Sequence, residues 1–110
     1  IIPIQPYIGD TLLGTIGVFK ENGVTLDISA DTFQYILYNS AGNVLHTLVI
    51  GTGIEFDGTG IVWRIEDTDT ANFVRNDRGS YELKWIRDDN GVKKTVLAGS
   101  AIPRKNIPND

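Results

Sequence analysis

The stretch Asp67–Ser100, DTDTANFVRNDRGSYELKWIRDDNGVKKTVLAGS, decides the fold class. Tyr81, Leu83 and Trp85 alternate with Glu82, Lys84 and Ile86, the two-residue period of a strand with one face in a core. Asn90-Gly91 supplies the residues that tolerate the positive φ angles of a tight hairpin, and Val92–Ala98 reads as the returning strand. Upstream, TDTANFVRN at 68–76 breaks the β pattern. Thr68 or Asp69 is placed there to cap a single helical turn whose apolar side is Ala71, Phe73 and Val74. Just before it, Ile61, Trp63 and Ile65 share one strand face, and Val62, Arg64 and Glu66 share the other.

Outward from that stretch the same signals recur. Ile2–Ile8 is extended, but Pro3 and Pro6 cannot donate to a ladder, so the segment reads as an edge strand or arm. Thr11–Phe19 is a strand that Asn22-Gly23 turns into Val24–Ile28. Thr32–Tyr38, TFQYILY, combines aromatic and branched residues as a buried strand does. Ser40-Ala41-Gly42-Asn43 turns it into Val44–Ile50. Gly51 and Gly53 make a corner before Ile54–Phe56, and Asp57-Gly58-Thr59-Gly60 is a further turn. No amphipathic helical period persists anywhere, while turn residues recur every ~8–12 positions, the pattern of an all-β sandwich or barrel. Trp63 and Trp85 are the residues nominated for the centre of the core. From Ile102 the sequence IPRKNIPND is polar and proline-containing, so the domain is drawn at 1–101 and residues 102–110 as a tail or linker.

Composition bounds the function. A chain of 110 residues builds one core. Its 14 acids against 10 bases give a net charge of −4, the wrong sign for non-specific nucleic-acid binding. With no cysteine, disulfides and thiolate metal sites are excluded, which leans toward assembly in a reducing cytoplasm. No apolar run approaches the ~20 residues of a membrane-spanning helix. Ile1-Ile2-Pro3 lacks the basic start of a signal peptide and an initiator methionine, as expected of a processed or trimmed chain whose original start is not visible.

Nothing in the sequence assembles a reaction. His46 is the sole histidine and has no second histidine or cysteine for zinc; it reads as a strand-surface residue making an ordinary hydrogen bond. Asp67 with Asp69, and Asp88 with Asp89, raise a glycosidase or calcium reading, but turn and capping chemistry explains both pairs. The glycines of GTGIEFDGTG have no Gly-Lys-Ser/Thr after them, so they read as turns rather than a phosphate cradle. Tyr7, Tyr35, Tyr38 and Phe56 could stack on sugars, although core burial is the simpler expectation. No catalytic, cofactor-binding or metal residue is nominated.

Taken in order, the turns and strands resemble a family: the immunoglobulin-like β-sandwich domains of tailed-phage virion proteins, found at the N-terminus of baseplate upper proteins and in prophage tail proteins. The resemblance is carried by Gly9-Asp10-Thr11 before a strand, Asn22-Gly23, Leu26-Asp27-Ile28-Ser29, and Thr32–Tyr38 with Ala41-Gly42. It continues through Gly79-Ser80-Tyr81-Glu82-Leu83, Asp89-Asn90-Gly91 and Leu97-Ala98-Gly99. Arg78-Gly79 stands where Pro-Gly is common in such domains, and Pro103 interrupts the last strand. The resemblance implies an immunoglobulin-like antiparallel sandwich of seven or eight strands with one short helical turn near 68–76. It implies a non-enzymatic structural part of a phage or prophage particle, of tail or baseplate type. Such a part is assembled in the bacterial cytoplasm and located in the virion. Expected partners are other virion proteins and further copies of the chain, with no nucleic acid, no membrane insertion and no cofactor. Strand edges and arms are where assembly is expected, which singles out Ile2, Ile4, Tyr7, Ile8, Ile102, Arg104, Lys105 and Ile107. The alternative is an immunoglobulin-like binding module for cell-surface carbohydrate or protein.

Overall fold

The computed structural model describes Ile4 and residues 10–103. Nine strands and one helical turn follow one another: β1 Leu12–Ile16, β2 Lys20–Glu21, β3 Val24–Thr25, β4 Thr32–Tyr38, β5 Val44–Ile50, β6 Gly53–Asp57, β7 Gly60–Ile65, α1 Asp67–Thr70, β8 Gly79–Ile86 and β9 Lys93–Ala101. Seven of them form one sheet in the order β1-β7-β6-β5-β4-β8-β9, and β2 and β3 form a separate hairpin. The all-β reading therefore holds.

β4 and β8 form the backbone of the core. Phe33, Tyr35 and Leu37 of β4 are buried, and they face Trp85, Leu83 and Tyr81 of β8 in that register. Cross-strand pairs of this kind on one face are the stabilising unit of a sheet. Burying each large side chain, such as Phe33 or Leu83, contributes ~1.5–3 kcal/mol. On β7 the expected alternation is met: Ile61, Trp63 and Ile65 are buried and Arg64 is exposed.

The sheet curls on itself. Tyr35 of β4 stacks on Trp63 of β7 with ring centroids 5.4 Å apart, although β5 and β6 lie between their strands in the sheet. Only a strongly twisted sheet brings those faces together. The corner lies between β5 and β6, where Gly51 and Gly53 have φ of 87° and 93°. Residues with a Cβ avoid that region, and the chain there turns within Val49–Thr52, joined by hydrogen bonds in both directions. It leaves β6 parallel to β5, with Val49 opposite Gly53 and Ile50 opposite Ile54. The sheet is thus mixed, a correction to the expected antiparallel pairing throughout.

Other expectations shift locally. Asn22 and Gly23 have φ of 52° and 80°, as a tight hairpin requires, but the ladder they close is only two residues long on each side. The helical turn is present at Asp67–Thr70, yet its N-cap is Glu66 and no side chain caps it; Thr68 and Asp69 lie inside the turn instead. β9 extends to Ala101 and carries a bulge at Val96, since Leu83 pairs with Leu97 but Lys84 with Thr95. Ile102 and Pro103, drawn as the start of a tail, remain tied to the fold: the Ile102 amide donates to Ile4, and the Pro103 carbonyl accepts from Asn76.

Both tryptophans are buried on inward faces, as expected, each within an aromatic cluster. Trp85 stacks on Phe19 at 5.0 Å and lies near Phe33, and its indole N–H donates to Asp31 Oδ2 at 2.7 Å. Trp63 belongs to the other cluster, with Tyr35 and Tyr81. The fully buried Phe33, Leu37, Ile54, Ile61, Ile65 and Leu83 complete the core.

Candidate interaction seam

β1 and β9 are the two edge strands of the curled sheet. A slot of about 280 Å³ opens between them. Leu12, Gly14 and Ile16 of β1 form one wall, Leu97 of β9 the other, and Tyr35, Trp63 and Tyr81 the floor. Small-ligand pockets run ~300–1,000 Å³, so the slot is scaled to the side chains of a strand more than to a drug-sized molecule.

The local sequence explains the floor. Gly14 pairs with Trp63 across β1 and β7, and a Cβ at Gly14 would clash with the indole at its Cε2, Cζ2 and Nε1 atoms. The absence of a side chain there lets the indole lie across the edge strand and reach the seam. Tyr35 lies between Trp63 and Tyr81 in a continuous stack, 5.4 and 5.6 Å between centroids. Burial raises the Tyr35 hydroxyl above the ordinary tyrosine range, Tyr81 adds to the rise, and a hydrogen bond with Trp63 partly opposes it. Burial likewise raises Tyr81. Both phenols are therefore neutral at any physiological pH, and the floor is uncharged.

Ile4 is the one described residue of the N-terminal arm, and it lies in this seam. Its amide donates to the Ser100 carbonyl at 2.8 Å, its carbonyl accepts from Ile102 at 3.4 Å, and it bridges Ala101 in the parallel sense. Its side chain packs against the core and lines the slot. Six residues on, the arm's base is fixed: buried Thr70 of α1 donates from Oγ1 to the Asp10 carbonyl at 2.6 Å. Of the other residues expected to mediate assembly, Ile102 is half-buried beside Ile4. Ile2, Tyr7, Ile8, Arg104, Lys105 and Ile107 lie outside the described residues.

Leu12, Gly14, Ile16, Trp63 and Leu97 were not expected at an interaction site. Their sequence signal is that of ordinary core strands. What places Leu12, Gly14 and Ile16 of β1 and Leu97 of β9 at an edge, with Trp63 of β7 one strand in, is sheet order, which a single sequence does not encode locally. The one hint was Gly14 inside an otherwise β-rich run, since glycine in a strand often marks a close approach.

The remaining candidates separate. His46 is on the inner row of β5, opposite Leu37, and not on a free strand surface; its Nε2 lies 3.8 Å from Asp69 Oδ2, joining β5 to α1. Asp67 Oδ1 accepts from the Thr68 amide. Asp89 pairs with Arg87 at 2.9 Å, and the Asp88 amide donates to Asp31. Arg87 also pairs with Glu21 at 2.7 Å, anchoring the β2–β3 hairpin and holding the Glu21 carboxyl below its ordinary range. Among the described residues no cluster of metal-ligating side chains occurs. The tyrosines do not form one sugar-stacking face: Tyr35 is buried, while Tyr38 projects from the other face of β4 and donates to Glu82 at 2.6 Å. Phe56 is exposed but meets Phe33 edge-on at the far end of the core.

A larger hollow of about 730 Å³ lies on the outer face of β1, β7 and β6, lined by Leu13, Thr15, Glu55, Val62, Arg64 and Glu66 among others. Arg64 is already paired with Glu66 there, Nε to Oε1 at 2.8 Å. The seam is the better candidate, because it lies between the two edge strands, with half-buried apolar walls over an aromatic floor. No helix among the described residues is long and apolar enough to cross a membrane. No protein-family model matches the chain, and no curated protein matches it significantly.

Proposed function

We propose that this chain is a non-enzymatic structural domain of a phage or prophage particle, of tail or baseplate type, which works by joining subunits. In this reading the curled seven-stranded sheet is a variant of the immunoglobulin-like sandwich, its two layers meeting at Tyr35 and Trp63. The observation that carries the proposal is the seam: two edge strands, β1 and β9, flank a slot floored by Trp63, Tyr35 and Tyr81. A strand edge is a template for strand addition, the simplest means by which a small domain joins others. The order of Gly9-Asp10-Thr11, Gly79–Leu83 and Leu97-Ala98-Gly99 supplies the resemblance that points to a virion.

Two measurements test the reading. Light scattering from micromolar to millimolar concentration is expected to reveal self-association, and deleting the gene from its phage or prophage is expected to yield particles with defective tails. A chain that stays monomeric throughout, with deleted particles of normal form and infectivity, defeats the proposal.

A further inference from the structure

Asn-Gly occurs twice in the chain, at Asn22-Gly23 and Asn90-Gly91, and each pair lies between paired antiparallel strands. This dipeptide is the most reactive setting for an asparagine side chain, because glycine carries nothing to shield its amide nitrogen from the neighbouring carboxamide. The fold treats the two pairs oppositely. At the second, the Gly91 amide donates to the Arg87 carbonyl at 2.9 Å, and Asn90 Oδ1 accepts from the Val92 amide at 2.9 Å. Nucleophile and electrophile are both engaged there, and the ladder behind them runs from Ile86–Lys93 back to Gly79–Ala101. At the first, no hydrogen bond among the described residues engages the Asn22 carboxamide or the Gly23 amide. Every residue from Lys20 to Thr25 is exposed, and the ladder consists of Lys20–Thr25 and Glu21–Val24 alone.

We propose that Asn22-Gly23 is a site of spontaneous modification, where Asn22 converts to aspartate and isoaspartate, while the fold protects the identical dipeptide at Asn90-Gly91. The inference is independent of the proposed assembly role. The Gly23 nitrogen, its proton lost to hydroxide, attacks the carboxamide carbon of Asn22. A five-membered succinimide closes as the C–N bond to the side-chain nitrogen breaks, and ammonia leaves with a proton from water. Water then opens the ring at either carbonyl, so one water is consumed, one ammonia is released and nothing is oxidised. A tight turn does not itself present the nitrogen to the carboxamide, so the reaction passes through local opening of the hairpin. Opening exposes no buried side chain of β2 or β3, and the contact of Glu21 with Arg87 at 2.7 Å is the main tie that resists it. Either product adds a negative charge beside Glu21 in a chain already at −4. Isoaspartate also adds a backbone carbon between Glu21 and Gly23, which breaks the pairing of Glu21 with Val24.

The test holds the purified chain in warm, mildly alkaline buffer and follows the peptides carrying each asparagine by mass and by the separation of aspartate from isoaspartate. Conversion at Asn22 is expected to outpace that at Asn90 by ~10-fold or more, the weight of the two hydrogen bonds that hold Asn90-Gly91. In urea, where neither turn persists, the two rates are expected to converge. Glu21→Gln unties the hairpin from Arg87 and is expected to speed conversion at Asn22 alone in the folded chain, with its rate in urea as the control for the changed neighbour. Equal rates at the two sites of the folded chain, or no conversion at Asn22 while the unfolded chain reacts, overturns the proposal. An unchanged Asn22 rate in folded Glu21→Gln overturns the route through hairpin opening.

Discussion

Three glycines of the β1–β7 region illustrate how differently one residue type is constrained. Gly17 has open space where a Cβ would stand, and its backbone is not in the left-handed region. Gly60 would drive a Cβ into the backbone of Ile16 and Gly17, which cannot move without parting β1 from the β6–β7 turn. Gly14 would strike the Trp63 indole, a flat ring already held in a stack with Tyr35. Urea denaturation is expected to leave Gly17→Ala within ~0.5 kcal/mol of the parent. Gly14→Ala is expected to cost ~1–3 kcal/mol through overpacking, with a red-shifted Trp63 emission as the indole is pushed toward water. Gly60→Ala should cost at least as much as Gly14→Ala, since backbone gives less readily than a side chain. Equal stability for all three variants contradicts this ordering.

At the scale of elements, α1 and the β2–β3 hairpin are both held by polar contacts rather than by large apolar faces. Thr70 is fully buried, and its hydroxyl donates to Asp10 and Asp67 carbonyls, so the four-residue turn ties the base of the arm to the end of β7. Thr70→Val keeps the shape and removes the donor; it is expected to cost ~1–3 kcal/mol and to speed amide exchange around Asp10. Thr70→Ser keeps the donor and should lose less. The hairpin depends on Glu21 and Arg87. The hydrogen bond from Arg87, with its charge, lowers the Glu21 pKa, so the folded state favours ionised Glu21. That stabilisation is complete above the pKa of Glu21 in the unfolded chain and is lost as pH falls through the lower folded value. Melting temperatures followed from neutral to acid pH should therefore fall less steeply in Glu21→Gln than in the parent; parallel curves argue against a role for this pair. Sequence made much of this level legible. β4 at Thr32–Tyr38 and β5 at Val44–Ile50 were found to the residue, because aromatic and branched residues alternate there between clear turns. The parallel step at Gly51–Gly53 and the bulge at Val96 were not, since each depends on which strand lies alongside. The seam was missed for the same reason: Ile4 could be named from the arm's sequence, but Leu97 became an edge residue, and Trp63 came to lie one strand in from the β1 edge, only through sheet order.

For the whole molecule, the question is whether a sheet bent at one corner folds as one unit. Trp63 and Trp85 report on opposite ends: Trp63 on the β1-β7 end, and Trp85 on the β8 end beside the β2–β3 hairpin through Phe19. If the corner were a flexible joint, the two ends would melt separately. The contacts across the curl argue otherwise, because Tyr35, on the same strand as Phe33, stacks on Trp63 while Phe33 lies beside Trp85. One strand, β4, thus carries both clusters, and neither can lose its packing without exposing the other's flank. Chains of this length with one core generally unfold in a single cooperative step. Two single-tryptophan variants, Trp63→Phe and Trp85→Phe, isolate the reporters. Within each variant, fluorescence and circular dichroism are expected to give the same urea midpoint and the same slope. Two separated transitions in either variant would mean that β4 does not couple the ends, and that the sheet behaves as two halves hinged at Gly51–Gly53.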